Sequence, residues 1–130
     1  MRTISKDYPA TPYTVGTVAF DKLSANHLTR ASVSATVSAF SGLDGSVTLQ
    51  GSNALVSDSG QHVAGNLEPS FRVPESSWFD LDGGSVALGT ASGTVATSTS
   101  FSARWLRAVV KLDSGTGTVT VRVHASNEAA

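Results

Sequence analysis

The stretch SARWLRAVVKLDSGTGTVTVRVHAS, residues 102–126, has the most regular hydrophobic pattern of the chain. Apolar residues alternate with polar ones along two runs, and a period of two is typical of half-buried β-strands. The apolar face comprises Leu106, Ala108, Val110 and Leu112 in the first run and Val119, Val121, Val123 and Ala125 in the second. Between the runs, S-G-T-G at 114–117 consists of residues that favour turns. The stretch therefore predicts a β-hairpin.

The same alternation recurs along most of the chain. In ASVSATVSAF, residues 31–40, the predicted buried face comprises Val33, Ala35, Val37 and Ala39. Asp44-Gly45 predicts a second hairpin that leads into a strand at 47–52. Further strands are predicted at 18–23, 77–81, 86–90 and 93–101, with a turn at 82–85. The sequence thus predicts an all-β fold, a single antiparallel β-sandwich or jelly roll of about eight strands with an extended N-terminal arm.

Two segments depart from this rhythm. Residues 1–16 are predicted to be an extended arm, because Pro9 and Pro12 each remove a backbone donor and favour extended conformations. For the isolated chain, disorder of this arm is favoured over docking on a partner. Deletion of residues 2–16 is expected to leave folding intact. Residues 17–130 are assigned to the sandwich domain, with an irregular insert at 53–76 whose length favours a functional or disordered loop.

Composition narrows the class of protein. The chain has 130 residues, a formal net charge of −1, a charged fraction of 15% and no cysteine. Such a weak charge does not favour nucleic acid or an anionic membrane as a partner. Without cysteine there are no disulfides or thiolate chemistry. The N-terminus has no apolar run of the length that a signal peptide needs, so assembly in a cytoplasm is expected.

Residues able to carry out catalysis are few and scattered. His27, His62 and His124 have no spacing that predicts a metal site, and we expect them to be structural or solvated. Asp44, Asp80 and Asp82 faintly resemble calcium ligands, but Asp and Gly are also the residues that tight turns require. No nucleophile elbow or phosphate-binding loop occurs. The prediction is a protein that is not an enzyme and has no catalytic residue, cofactor or metal.

The candidate binding residues are cationic or aromatic. Protein-interface candidates are a cationic stripe on the predicted hairpin and two tyrosines of the arm: Arg104, Arg107, Lys111, Arg122, Tyr8 and Tyr13. The alternative for the stripe is a solvated face. Trp78 and Trp105 are candidates for a stacking platform for sugars, and the alternative for both is a place in the core.

Four motifs resemble a recurring structural domain of tailed bacteriophages. In that family a strand ending in G-S-N is followed by a short strand with Trp, an R-[WY]-[LV]-R motif and an S-G-T-G-T corner. The matching residues here are Gly51-Ser52-Asn53, Trp78, Arg104-Trp105-Leu106-Arg107 and 114–118. The family connection after G-S-N is short, whereas residues 54–76 intervene here.

The resemblance implies a β-sandwich in a phage particle. The first expectation is a capsid decoration protein, a homotrimer on the exterior of the virion, assembled in the host cytoplasm with the major capsid protein as its partner. The alternatives are a carbohydrate-binding module of a tail or adhesin, and a head-completion or tail adaptor component.

Overall fold

The computed structural model describes residues 3–54, 62–63, 66–67, 73, 75–88 and 93–127. These residues form nine β-strands and one 3-10 helix, Glu75–Ser77. The strands are β1 (Thr3–Tyr13), β2 (Gly16–Ala19), β3 (Leu23–Ser24), β4 (Arg30–Ser52), β5 (His62–Val63), β6 (Asn66–Leu67), β7 (Phe79–Leu88), β8 (Gly93–Ser100) and β9 (Trp105–Ser126). The prediction of an all-β fold is confirmed.

Seven of the strands form one antiparallel sheet around two very long strands, β4 and β9. β9 pairs with β4 along one side and with β1, β2 and β3 along the other. β4 pairs on its second side with β8 and then with β7. The first half-sheet contains β1, residues 117–126, residues 30–38 and β8. The second half-sheet contains β2, β3, residues 105–112, residues 45–52 and β7. The strands thus belong to one hydrogen-bonded sheet, and its division into a two-layer sandwich stays a prediction.

Both hairpins predicted at glycine-rich corners are wrong. β4 continues through Asp44-Gly45, and β9 continues through the S-G-T-G segment. A straight strand of 23 residues would span roughly 75 Å, and the register between β4 and β9 instead shifts three times between Ser38 and Gly45. Gly42 and Gly115 have positive φ values of 58° and 77° in this region. Gly42 and Gly115 therefore lie at bends in the two long strands, at the boundary of the half-sheets. The strands continue instead of turning back because the partner of each strand is far away in sequence.

The turn predicted at residues 82–85 is also wrong. β7 runs continuously from Phe79 to Leu88, and its pairing with β4 shifts between Thr48 and Gln50. Ser85 lies opposite Thr48 and Asp80 lies opposite Gln50. The glycine-rich segment is accommodated as a bulge within one strand, since a bulge requires the same permissive residues as a turn.

The predicted inward faces form the hydrophobic core. All eight apolar residues assigned to the inner face of 102–126 are buried, and so are Val33, Ala35 and Val37 of β4. Ala39 is the exception: it is exposed and has a φ of 48°, because it lies where β4 bends. Buried residues of both half-sheets belong to one contiguous cluster. Burial of this shared core is the main force that stabilises the bent sheet.

The outer strands of the two half-sheets also contact each other. On one side, Thr97 and Thr99 of β8 donate hydrogen bonds from their hydroxyls to the carbonyl oxygens of Gly83 (2.9 Å) and Asp82 (2.6 Å) in β7. On the other side, the rings of Tyr8 and Phe20 stack with centroids 4.1 Å apart. These contacts join the margins of the half-sheets beyond the backbone ladder.

The N-terminal arm is extended, as predicted. The structure shows it as a paired strand, whereas the sequence favoured disorder in the isolated chain. Residues 3–13 form β1, which pairs with β9 from Thr3 opposite Ser126 to Tyr13 opposite Gly117. The pairing shifts between Tyr8 and Thr11, where Pro9 cannot donate a ladder hydrogen bond. The arm is therefore an edge strand of the chain's own sheet.

Most of the insert predicted at residues 53–76 lies outside the described residues. Within it, β5 pairs with β6 in a separate two-stranded sheet. The described end of the insert is the 3-10 helix, which leads into Trp78 and β7. This end lies against the second half-sheet and contributes to the cluster described next.

Candidate functional site

Arg107 is the centre of a polar ladder across three strands of the second half-sheet. It lies on β9 opposite Gln50 of β4, and Gln50 lies opposite Asp80 of β7. The Arg107 Nε donates to Gln50 Oε1 at 2.8 Å, and Gln50 Nε2 donates to Asp80 Oδ1 at 2.9 Å. The amide of Gln50 can serve both neighbours because it has a donor and an acceptor. Alternation places these three side chains on the outer face of the sheet.

The end of the insert covers the same arginine. Arg107 Nη2 and Nη1 donate to the two carboxylate oxygens of Glu75 at 2.7 and 3.1 Å, a bidentate ion pair. The guanidinium carbon lies 4.3 Å from the ring centroid of Trp78. Arg107 is consequently only 7% exposed, whereas the Glu75 side chain is 80% exposed. The hydrogen bonds from Arg107 lower the pKa of Glu75 from its ordinary value of 4.5.

A cleft of about 180 Å³ opens beside this cluster. Its walls combine two aromatic rings with groups of both charges: Phe20, Asp21, Lys22, Val73, Glu75, Trp78 and Arg107. Exposed carboxylates can accept hydrogen bonds there, and the ammonium of Lys22 can donate them. The cleft is smaller than the roughly 300–1,000 Å³ of pockets that hold drug-sized ligands. It suits one small polar ring better than a long ligand.

The second tryptophan lies next to the cluster on β9. Trp105 Nε1 donates to the carbonyl oxygen of Ala54 at 3.1 Å, and Lys22 Nζ lies 5.5 Å from its ring centroid. The hydroxyls of Ser52 and Ser77 are 2.8 Å apart. Both ends of the insert are therefore fastened to the outer face of the second half-sheet.

The four cations do not form the predicted exposed stripe. Arg107 is buried, and the bend at Gly115 places Arg122 in the first half-sheet, opposite Asp7 of β1. Arg122 donates to both carboxylate oxygens of Asp7, at 2.6 and 3.2 Å, and these bonds lower the pKa of Asp7. Arg104 is exposed. Lys111 is exposed beside Asp113, with 3.8 Å between their charged atoms. Their role as interface residues stays a prediction.

The tyrosines and tryptophans predicted to bind partners are half-buried. Tyr8 stacks on Phe20, and Tyr13 packs against the core. Burial raises the pKa of both tyrosine hydroxyls. Trp78 precedes β7 instead of lying within a strand at 77–81. One ring face of Trp78 is occupied by Arg107, so a sugar could stack only on the rest of the indole.

The remaining polar residues singled out from the sequence are dispersed. His27 is exposed, and His124 Nδ1 lies 2.8 Å from the Ser5 hydroxyl. The side chain of His62 lies outside the described residues. Asp44 and Asp82 are exposed on separate strands, while Asp80 accepts a hydrogen bond from Gln50. In the described part of the chain, no three His, Asp or Glu side chains are grouped as a metal site would require.

Sequence reasoning missed Gln50, Glu75, Phe20 and Lys22 as members of the cluster. The outward position of Gln50 in its strand could have indicated its place in the cluster, because Gln50 lies on the same face of the sheet as the residue opposite it on β9, Arg107. Glu75 had no such signal, because it lies in a segment without periodicity.

Neither the known protein families nor the curated proteins contain a match to this chain. Among the residues that the structure describes, no helix is sufficiently long and apolar to cross a membrane.

Proposed function

We propose that this chain is a non-enzymatic structural protein of a phage particle, bound as a decoration protein to the exterior of the capsid. Its partner would be the major capsid protein, and its site of assembly the host cytoplasm. The observation that carries the proposal is that three of the four motifs of the resemblance contact one another, while the fourth, residues 114–118, lies in the bend of β9.

Those contacts join segments that are far apart in sequence. The G-S-N motif ends β4 where the R-W-L-R motif begins β9, with Ser52 opposite Trp105. The Arg104 N–H donates to Ser52 O at 3.0 Å and to Asn53 Oδ1 at 3.2 Å. Trp78 packs on Arg107 of the same motif. Motifs that contact one another in this way are what a shared domain would require, so they support the phage resemblance.

The outer face of the first half-sheet also suits a protein that covers a large surface. Its four adjacent strands present mainly hydroxyls, including Ser5, Ser32, Ser98, Thr36 and Thr94. Thr36 and Thr94 share a hydrogen bond at 2.8 Å, and the Asp7–Arg122 pair is neutral overall. Short polar side chains over most of this face can form many hydrogen bonds with a partner. Arg30, which donates to the hydroxyls of Ser98 and Ser100 at 3.5 and 3.4 Å, adds one positive charge to the face.

The first test is the copy number of the chain in particles. Particles from a lysate of the encoding culture would be purified on a density gradient, and this chain quantified against the most abundant capsid protein by mass spectrometry. A ratio near one, or a simple fraction such as about one third, supports a decoration protein. About a dozen copies per particle would favour a head-completion or tail adaptor component, and absence from particles would overturn the proposal.

The cleft beside Trp78 favours a second candidate function, saccharide binding in a tail or adhesin. Trp78 and Phe20 supply aromatic surface, and Asp21, Lys22 and Glu75 supply hydrogen-bonding groups. Titration with bacterial surface oligosaccharides should then change tryptophan fluorescence. Trp78→Ala should abolish the change while Trp105→Phe retains it. An unchanged spectrum in the wild type, across the oligosaccharides tested, would count against this candidate.

A further inference from the structure

The sheet has several outer strands whose second side pairs with no other strand among the described residues. β1, β2 and β3 occupy one margin, and β7 and β8 occupy the other. An edge strand presents free N–H and C=O groups to any chain that can pair with it. Proteins therefore protect such edges with prolines, charges, bulges or short strands.

All of these edges except β8 have such protection. β1 carries Pro9, Pro12 and the charged pair Lys6-Asp7, and its pairing shifts at Tyr8. β2 and β3 are four and two residues long. β7 contains a bulge between Asp80 and Ser85 and carries two aspartates.

β8 is regular and has no charged residue or proline. Its sequence is GTVATSTS, and it pairs with β4 without a register shift, from Gly93 opposite Val37 to Ser100 opposite Arg30. Thr94, Ala96, Ser98 and Ser100 are exposed. The inward hydroxyls of Thr97 and Thr99 are bound to the backbone of β7, which fastens the strand in its extended conformation. A strand that is already ordered loses little conformational entropy when another strand pairs with it.

We propose that the partner of this edge is β8 of a second copy of the chain, paired antiparallel about a twofold axis. Self-pairing brings no like charges together, because the strand has none. It places threonine and serine side chains of the two copies opposite each other, and such cross-strand pairs are favourable. The two first half-sheets, each of four adjacent strand segments, then form one continuous layer of eight segments.

The twofold geometry also limits the assembly. Among the described residues, the seven-stranded sheet of each copy has one unprotected edge, β8. Pairing of two copies occupies both β8 edges and leaves none for a third copy. A closed dimer is therefore expected in place of the trimer implied by the resemblance and in place of open fibres. The inference does not depend on the proposed function, because it rests on the edge alone.

Sedimentation velocity of the full chain, across about 1–500 µM, tests the proposal. We expect a reversible monomer–dimer equilibrium. Ala96→Lys should raise the dissociation constant at least tenfold, because lysine on an edge strand opposes pairing. Ala87→Lys is the matched control: the same exposed residue type on the bulged strand β7, expected to leave the equilibrium unchanged. Circular dichroism and urea midpoints would establish that both variants fold.

Disulfide cross-linking gives a second measurement, because the chain has no cysteine of its own. Single cysteines would replace Thr94, Ala96 or Ser98 in separate variants. At least one of these variants should form a disulfide-linked dimer faster than the Ala87→Cys variant does. A monomer at every concentration, a trimer, equal effects of the two lysine variants, or equal cross-linking rates would each overturn the proposal.

Discussion

Gly115 of β9 crosses Gly42 of β4 so closely that a Cβ atom on Gly115 would overlap the carbonyl group of Gly42. This contact lies where both long strands bend between the two half-sheets. The φ of Gly115 is 77°, a left-handed conformation that costs L-residues about 1–2 kcal/mol. Conformation and space therefore both require glycine at this position.

Gly115→Ala should lower the free energy of unfolding by about 3 kcal/mol or more, the sum of the left-handed conformation and overpacking. Two matched controls separate the causes. Gly42 has a φ of 58° and open space, so Gly42→Ala should cost about 1 kcal/mol. A Cβ atom on Gly45 would overlap the backbone of Lys111, so Gly45→Ala tests overpacking alone. Urea unfolding measures all three, and equal losses for Gly115→Ala and Gly42→Ala would contradict the close crossing.

Arg107→Lys should destabilise the fold by about 1–3 kcal/mol. Lysine keeps the charge but cannot reproduce the bidentate pair with Glu75 together with the stacking on Trp78. Arg122→Lys is the matched control and should have a much smaller effect, because that arginine is on the exposed surface. Urea unfolding gives the free energies, and near-ultraviolet circular dichroism follows the packing of the aromatic side chains, among them Trp78. A loss at Arg122 as large as at Arg107 would refute this interpretation.

Stability should decrease as the pH falls below about 4.5. Hydrogen bonds from Arg107 and Arg122 lower the folded-state pKa of Glu75 and Asp7 from ordinary values of 4.5 and 3.8. Between the lowered and the ordinary pKa values, the unfolded chain therefore binds more protons than the folded chain. The stability that these carboxylates contribute is fully present above their ordinary pKa values and is lost as the pH falls towards the lowered pKa values. The effect is small because both carboxylates are exposed.

The variant Glu75→Gln with Asp7→Asn tests the assignment of that pH dependence. Its free energy of unfolding should change less between pH 7 and pH 3 than that of the wild type, as measured by urea unfolding at each pH. Parallel pH profiles for the two proteins would exclude these carboxylates as the cause.

Removal of β1 should destabilise the chain, in contrast to the expectation from sequence that residues 2–16 are not needed for folding. Deletion of residues 2–13 leaves residues 117–126 of β9 unpaired on one side and removes the ring that stacks on Phe20. Tyr8→Ala should cost about 1–2 kcal/mol, less than a fully buried aromatic residue. Tyr8→Phe should be nearly neutral, because the hydroxyl donates to Asp21 O over 3.4 Å. A truncated chain with the stability of the wild type would restore the arm interpretation.

Periodicity predicted the buried faces well because strand alternation is a local property. Val33, Val110 and Val121 are all buried as their spacing indicates. The Arg107 cluster was only partly predictable. Arg107 and Trp78 stood out by residue type, but their contact depends on Glu75 and the end of an insert with no periodicity.

The sequence by itself determined that the chain is all-β, which residues of the regular strand segments face the core, and where the backbone can bend at glycine. Only the tertiary structure decided whether those glycines end a strand or bend it. Gly42, Gly83 and Gly115 satisfy the local requirements of a turn, a bulge and a bend alike. The choice came from pairing between β4 and β9, whose partners are as much as 96 residues apart, as for Arg30 and Ser126. Local residue chemistry cannot specify such contacts, because their stability comes from burying the faces of both strands in one core.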